Sequence, residues 1–163
     1  MQNQLMTEAL KEAHLAFEQG EIPIGAILVK DNQVIAKAHN TREQDPSPLN
    51  HAEIKVIQEV AKQKGDWRLN DFDLYVTTEP CPMCLGALFQ ARVGCLFVGC
   101  LDPKRESQNK GNIFPSLKSI CNEHGYGELT SNNHMLKIQT GVLAEESAQI
   151  LKDFFNQRRL QKP

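Results

Sequence analysis

The sequence predicts an α/β fold, built on a mixed five-stranded sheet with helices on both faces. Three observations carry this reading. Short β-branched or apolar runs at residues 24–29, 34–36, 74–78, 95–98 and 136–138 have the length of strands. Stretches with apolar residues every three or four positions separate most of them, as amphipathic helices do. The resulting order, αββαβαβ(α)βα, alternates helix with strand in the manner of a sheet covered on two sides. At 163 residues the chain has the size of one domain, 1–163, able to bury about 70% of its unfolded surface without a disulfide staple.

Leu5, Ala9, Ala13, Ala16 and Phe17 recur at helical spacing, and Gly20 stands where a C-terminal cap belongs, so residues 4–19 form an amphipathic helix. His14 has no ligand-spaced neighbour on that helix and reads as a surface residue. After Pro23, the run Ile24-Gly25-Ala26-Ile27-Leu28-Val29, the polar turn Lys30-Asp31-Asn32-Gln33 and Val34-Ile35-Ala36 make a hairpin. Asn40 ends its second strand, and a turn-rich stretch over 41–50 with Pro46 and Pro48 delivers the chain to His51. Ile54, Ile57, Val60 and Ala61 are helically spaced and stop at Gly65, which places His51 and Glu53 at the start of a helix. Leu74-Tyr75-Val76-Thr77-Thr78 is a strand halted by Pro80 and Pro82. Pro82 suits a first helical position, and Cys84, Leu85, Leu88 and Ala91 continue as a helix.

Cys95-Leu96-Phe97-Val98 is a buried strand in which Cys95 serves as a small hydrophobe, the default also for Cys100 and Cys121. Residues 103–134 are the least legible, being rich in Lys, Asn, Gly and Ser. Pro115 can open a short helix through Leu117 and Ile120, while His124 and His134 read as solvated. Leu136-Lys137-Ile138 alternates as a strand should, and residues 143–159 form a final helix with Ala144, Ala148, Leu151 and Phe155 along one face.

Apolar residues make up 40% of the chain and charged residues 23%, the composition of an ordinary soluble globule. A formal net charge of -2 excludes a broadly electropositive nucleic-acid binder, so any RNA contact rests on a local patch. Five cysteines is an odd count, and two of them stand at metal-type spacing, which suits a reducing compartment; cytoplasm is the expectation. Glu8, Lys11, Glu12 and Glu18 fall where a signal peptide needs an unbroken apolar core, and no stretch approaches membrane-spanning length. The chain is therefore expected to be neither exported nor anchored.

The chemistry concentrates in His51-Ala52-Glu53 and Pro80-Cys81-Pro82-Met83-Cys84. His-x-Glu alone is common by chance, and Cys-x-x-Cys alone admits a redox dithiol or half of a four-cysteine zinc knuckle. Cys95, Cys100 and Cys121 stand singly, so the knuckle lacks its second half, and a redox dithiol leaves His-x-Glu unexplained. His51, Cys81 and Cys84 together supply three soft zinc ligands and leave a tetrahedral position for water, the arrangement of a catalytic rather than a structural site. Both half-motifs open helices, whose N-terminal partial positive charge favours thiolates at Cys81 and Cys84.

H-x-E followed by P-C-x-x-C is the signature of zinc deaminases that act on nucleobases. The chain resembles the cytidine-deaminase-like superfamily and, more closely, the bacterial tRNA-specific adenosine deaminases. The likeness runs through Glu21-Ile22-Pro23-Ile24-Gly25-Ala26-Ile27-Leu28-Val29, Asn40, His51-Ala52-Glu53, Leu74-Tyr75-Val76-Thr77-Thr78-Glu79-Pro80-Cys81 and Asp153-Phe154-Phe155 with Arg158-Arg159. It implies a three-layer α/β/α sandwich of cytidine-deaminase type, a homodimer, and hydrolysis of adenosine to inosine at the wobble position of a tRNA anticodon loop. In that scheme His51, Cys81 and Cys84 bind zinc, Glu53 shuttles protons, Asn40 contacts the base, and Asp102, just after the fourth strand, lies near the ribose.

Phe154, Phe155, Arg158, Arg159 and Lys162 cluster at the tail, where arginines can pair with anticodon-stem phosphates and an aromatic such as Phe155 can stack on a base. Deaminases of free guanine or cytosine share the histidine and are the alternative within the same class. A zinc-stabilised RNA-binding module is the alternative outside it, although such a module gains nothing from Glu53. Two stretches depart from the family pattern: residues 41–50 are slightly long, and residues 103–112 replace a short glycine-containing loop with a longer, more polar insert.

Overall fold

The computed structural model describes residues 1–107 and 114–161. Strands β1 Gly25–Lys30, β2 Gln33–His39, β3 Asp73–Thr78, β4 Cys95–Cys100, β5 Tyr126–Ser131 and β6 His134–Thr140 form one six-stranded sheet in the order β2-β1-β3-β4-β6-β5. β3 pairs with β4 and β4 with β6 in parallel, whereas β1 meets β2 and β3, and β5 meets β6, antiparallel. The helices are α1 Gln2–Glu18, α2 Ala52–Lys64, α3 Pro82–Ala91, α4 Pro103–Ser107, α5 Leu117–Ile120 and α6 Ala144–Leu160.

Strand side chains alternate between faces, and here both faces are covered. From β1, Ala26 and Leu28 join Val56 and Val60 of α2 and Leu85 and Leu88 of α3, while Ile27 and Val29 join Leu5, Met6 and Ala9 of α1. β3 divides in the same way, sending Leu74 and Val76 to the first cluster and Tyr75 to the second. Burial on both sides explains why these strands read as nearly continuous apolar runs. Each fully buried Leu or Ile contributes about 1.5–3 kcal/mol.

The sheet has six strands rather than five. β5 escaped the hydrophobic pattern because it is an edge strand with exposed and half-buried residues in alternation and none fully buried. Its signal was the Asn132-Asn133 pair, at φ 51° and 56°, the left-handed conformation that a two-residue hairpin requires. Asp31 and Asn32 make the equivalent turn between β1 and β2 at φ 50° and 61°.

The core-facing side of α6 is carried by Ser147, Ile150 and Phe154, not by Ala144, Ala148, Leu151 and Phe155. Phe154 is the aromatic that goes in, edge-on to Phe17 of α1 at 5.7 Å, and Phe155 is 43% exposed. His134 is half-buried rather than solvated, because its Nε2 donates to the Val93 carbonyl at 2.7 Å. Cys95 is likewise only half-buried. Of the polar insert at 103–112, α4 forms the first turn and 108–112 lie outside the described residues, as does Lys162.

α1 approaches the start of β1 so closely that a Cβ on Gly25 would stand 2.0 Å from the Ala9 carbonyl oxygen and 2.6 Å from the Ala13 nitrogen. Both obstacles are helix backbone and cannot rotate away. Gly25→Ala is therefore expected to destabilise the protein by about 2–3 kcal/mol, the upper part of the range for overpacking, lowering Tm by roughly 4–12 °C. Thermal and urea unfolding of the variant against wild type measure this.

Candidate active site

Two helix starts build the centre. His51 is the N-cap residue of α2, with extended backbone at φ −81°, ψ 147°. Cys81 is the N-cap of α3 at φ −69°, ψ 167°, and Pro82 takes the first helical position, where its missing N–H costs nothing. Neither side chain makes the usual N-cap hydrogen bond. Both are turned toward each other instead. His51 Nδ1 lies 3.7 Å from Cys81 Sγ and 3.5 Å from Cys84 Sγ, and the two sulfurs are 3.6 Å apart.

These distances test whether a metal fits. With Zn–S near 2.3 Å and Zn–N near 2.05 Å, a tetrahedral site has S···S edges of about 3.8 Å and S···N edges of about 3.6 Å. The observed triangle matches those edges, so His51, Cys81 and Cys84 fit a shared cation. Among the described residues no fourth His, Cys, Asp or Glu joins the group.

The three donors also shift one another's protonation. Hydrogen bonding from the Cys84 thiol, reinforced by His51, holds Cys81 down at about 4, so that it is a thiolate at neutral pH. The same sulfur–sulfur contact, with burial and the nearby Glu53, pushes Cys84 up. The Cys81 sulfur raises His51 in turn. Glu53, in the first turn of α2, is 2% exposed, and its Oε2 has no hydrogen-bond partner. Burial pushes its pKa upward.

Asn40 lies one residue outside a closed loop. Thr41 N donates to Asn50 O at 3.1 Å, so Asn40 and His51 flank the same hydrogen bond. The Asn40 side chain is 3% exposed and donates through Nδ2 to Glu21 Oε2 at 3.3 Å. Glu21 itself is 1% exposed, and its Oε1 accepts from the backbone amides of Glu43 and Gln44 at 2.7 and 2.9 Å.

Asp102 follows β4 and is tied to the segment that leads into Cys81, since its backbone N donates to Glu79 Oε2 at 3.1 Å. Glu79 Oε1 accepts from Leu117 N at 2.9 Å and lies 3.8 Å from Arg105 Nε. Arg105 also donates to the Pro80 carbonyl. The sequence alone assigns no role to Glu21, Glu79 or Arg105. For the two glutamates the signal available was a lone acid set among Ile, Pro and Thr at a strand boundary.

Phe155, Arg158 and Arg159 are exposed on the last turns of α6. Arg158 donates to Gly20 O at 3.1 Å and stacks over the Phe154 ring at 5.1 Å. The tail therefore rests on the turn that precedes Glu21, and it is not brought into the metal cluster itself.

The MafB19-like deaminase family profile matches residues 1–159. The tRNA-specific adenosine deaminase of Bacillus subtilis is 43% identical over 96% of this chain and 90% of its own length. A structure solved in a study of A-to-I editing by tRNA:A34 deaminases at the wobble position of transfer RNA is 34% identical, with TM-score 0.72 over 90% of this chain and 98% of that one. A guanine deaminase from Bacillus subtilis is more distant, 30% identical with TM-score 0.59 over 69% of this chain and 81% of its own. The three-donor cluster, the buried carboxylate beside it and these full-length likenesses converge, and the chain belongs to the MafB19-like deaminases and, among them, to the tRNA-specific adenosine deaminases.

Proposed function

We propose that this protein is a hydrolase that converts adenosine to inosine at the wobble position of a tRNA anticodon loop. The observation that carries this is the Glu53 carboxylate, buried beside three soft donors at the N-terminal ends of two helices with its Oε2 bonded to nothing. A structural metal site has no use for such a group.

His51, Cys81 and Cys84 would hold zinc. When bound, zinc supplies Lewis acidity that brings the pKa of a water toward 7. Glu53 takes one proton of the attacking water as its oxygen adds to C6 of adenine, delivers it to the ring nitrogen, and then carries the second proton from the hydroxyl now on C6 to the amino group, whose bond to C6 breaks as the carbonyl forms. Ammonia leaves and inosine remains. The raised pKa of Glu53 suits an acid–base group that must both take and give. Asn40 holds the base, and Asp102 stands toward the ribose. A single-stranded loop is the fitting substrate because a stacked, paired base cannot reach such a centre.

The chain acts as one deaminase domain over 1–163, assembled as a homodimer in the cytoplasm. Free thiols at all five cysteines suit a reducing compartment, and among the described residues no helix is long and apolar enough to cross a membrane. Incubating the zinc-loaded protein separately with total tRNA, guanine and cytosine, and following ammonia release, decides the substrate. Release from guanine or cytosine but not from tRNA would move the assignment to a free-base deaminase.

About one zinc per chain is expected, and Cys84→Ser should lose most of it in elemental analysis, with lower stability because metal binding contributes to folding. Stoichiometric zinc in that variant contradicts the ligand set. Glu53→Ala should keep zinc and fold while turnover falls about 10²- to 10⁴-fold; a residual rate above about a tenth of wild type removes the proton-shuttle role.

At the tail, Arg158 is already engaged by Gly20 and Phe154, so Arg159 carries the larger share of any phosphate contact. Arg159→Ala is expected to flatten the salt dependence of tRNA binding by about one phosphate-equivalent, and the double variant Arg158→Ala with Arg159→Ala by at most about two, with zinc content unchanged. Wild-type affinity of the double variant at both low and moderate salt would reduce the tail to a helix end.

A further inference from the structure

We infer that Glu21 is a positioning residue that fixes which way round the Asn40 carboxamide is held, and so which hydrogen-bonding edge Asn40 offers to the target base. The inference rests on the nucleobase-deaminase reading above and deepens it.

Glu21 sits where α1 gives way to β1, 1% exposed. Three N–H groups converge on it: Asn40 Nδ2 at 3.3 Å on Oε2, and the amides of Glu43 and Gln44 at 2.7 and 2.9 Å on Oε1. A carboxylate only accepts, whereas a carboxamide has a donating end and an accepting end. Only the NH2 end of Asn40 can face Glu21, and its Oδ1 must be turned away.

The rest of Asn40 is equally held. Its backbone N donates to Ile24 O at 3.1 Å, and Lys55 Nζ ties down the adjoining residues through His39 O at 3.3 Å and Thr41 Oγ1 at 3.1 Å. The one motion left to such a side chain is a half-turn that exchanges O for NH2. That exchange sets donor against donor and acceptor against acceptor at any base the correct orientation matches. Glu21 forbids it. The same carboxylate, through Glu43 and Gln44, also clasps the loop that ends at His51, so base orientation and the loop wall share one anchor.

Glu21→Gln separates these two jobs. The glutamine carbonyl can still accept from the Glu43 and Gln44 amides, but its NH2 now opposes Asn40 Nδ2, and Asn40 is driven to turn over. With zinc-loaded protein and an anticodon stem-loop RNA, kcat/KM should fall about 10- to 100-fold while zinc content stays at the wild-type level. In an Asn40→Ala background, Glu21→Gln should cost less than about twofold more, because its effect passes through Asn40. A purely structural role for Glu21 would cost the same factor in both backgrounds, and that result, or wild-type kcat/KM in Glu21→Gln, overturns the inference.

The side-chain NH2 signal of Asn40, assigned by its loss in Asn40→Asp, gives a readout independent of turnover. In the wild type one of its two protons should exchange slowly with solvent, and that protection should vanish in Glu21→Gln. Equal, fast exchange of both protons in the wild type overturns the inference even if Glu21→Gln does not fold. If wild-type protein leaves the stem-loop RNA unchanged, the substrate assignment fails on its own, and this signal still decides the orientation of Asn40.

Discussion

Three soft donors from two chain segments far apart in sequence must come within 4 Å of one another, and most of the fold is arranged to meet that demand. Cys81 and Cys84 are one helical turn apart and come together by local geometry alone. His51 has to be delivered from a different helix. Parallel pairing of β3 with β4 and antiparallel pairing of β1 with β3 set the strand that leads into α3 beside the hairpin that leads into α2. The apolar face shared by Val56, Val60, Leu85 and Leu88 then locks the two helices onto the same side of the sheet. Both N-termini end up pointing at one place, where unpaired amides and the helix dipoles favour thiolate and developing negative charge.

The loops around that centre are held by a second device, the buried carboxylate used as an anchor. Glu21 gathers the 41–50 loop and Asn40, and Glu79 gathers Asp102 and Leu117 on either side of the polar insert. An ionised group away from water is costly unless its lone pairs are filled. Filling them with backbone amides turns that cost into a constraint on loop position. Such an anchor tolerates changes in loop length, because it fixes the ends and leaves the middle alone.

The strands and helices with strong periodicity are legible in the sequence, as is the grouping of His51, Cys81 and Cys84 that the structure brings together, because metal-type motifs restrict both residue type and spacing. β5 was not, since an edge strand with no buried residue carries no hydrophobic alternation; only its Asn-Asn turn betrays it. The face of α6 was read one position out because Phe154 and Phe155 are adjacent and equally apolar, and only packing against Phe17 decides between them. Glu21 and Glu79 were visible as letters but not as anchors. Their meaning lies in amides 22 or more residues away, a distance over which one sequence carries no pairing information.

The buried carboxylates also separate scaffold from chemistry. Glu21 and Glu79 each accept from at least two N–H groups and so are occupied in holding loops. Glu53 is buried to the same degree, yet Oε2 accepts from nothing, and burial outweighs the hydrogen bonds and the nearby His51 in moving its pKa, which is raised. Leaving a polar group in that state costs about 1–3 kcal/mol, a large part of the margin by which a domain is stable. An apolar residue there would remove that cost, and the first turn of α2 would still form. This carboxylate sits two residues from a donor whose Nδ1 faces two sulfurs. The proposed proton shuttle asks for a carboxylate of this kind, buried beside the donors with one oxygen not committed to the scaffold, whereas the oxygens of Glu21 and Glu79 are taken up by the loops they hold.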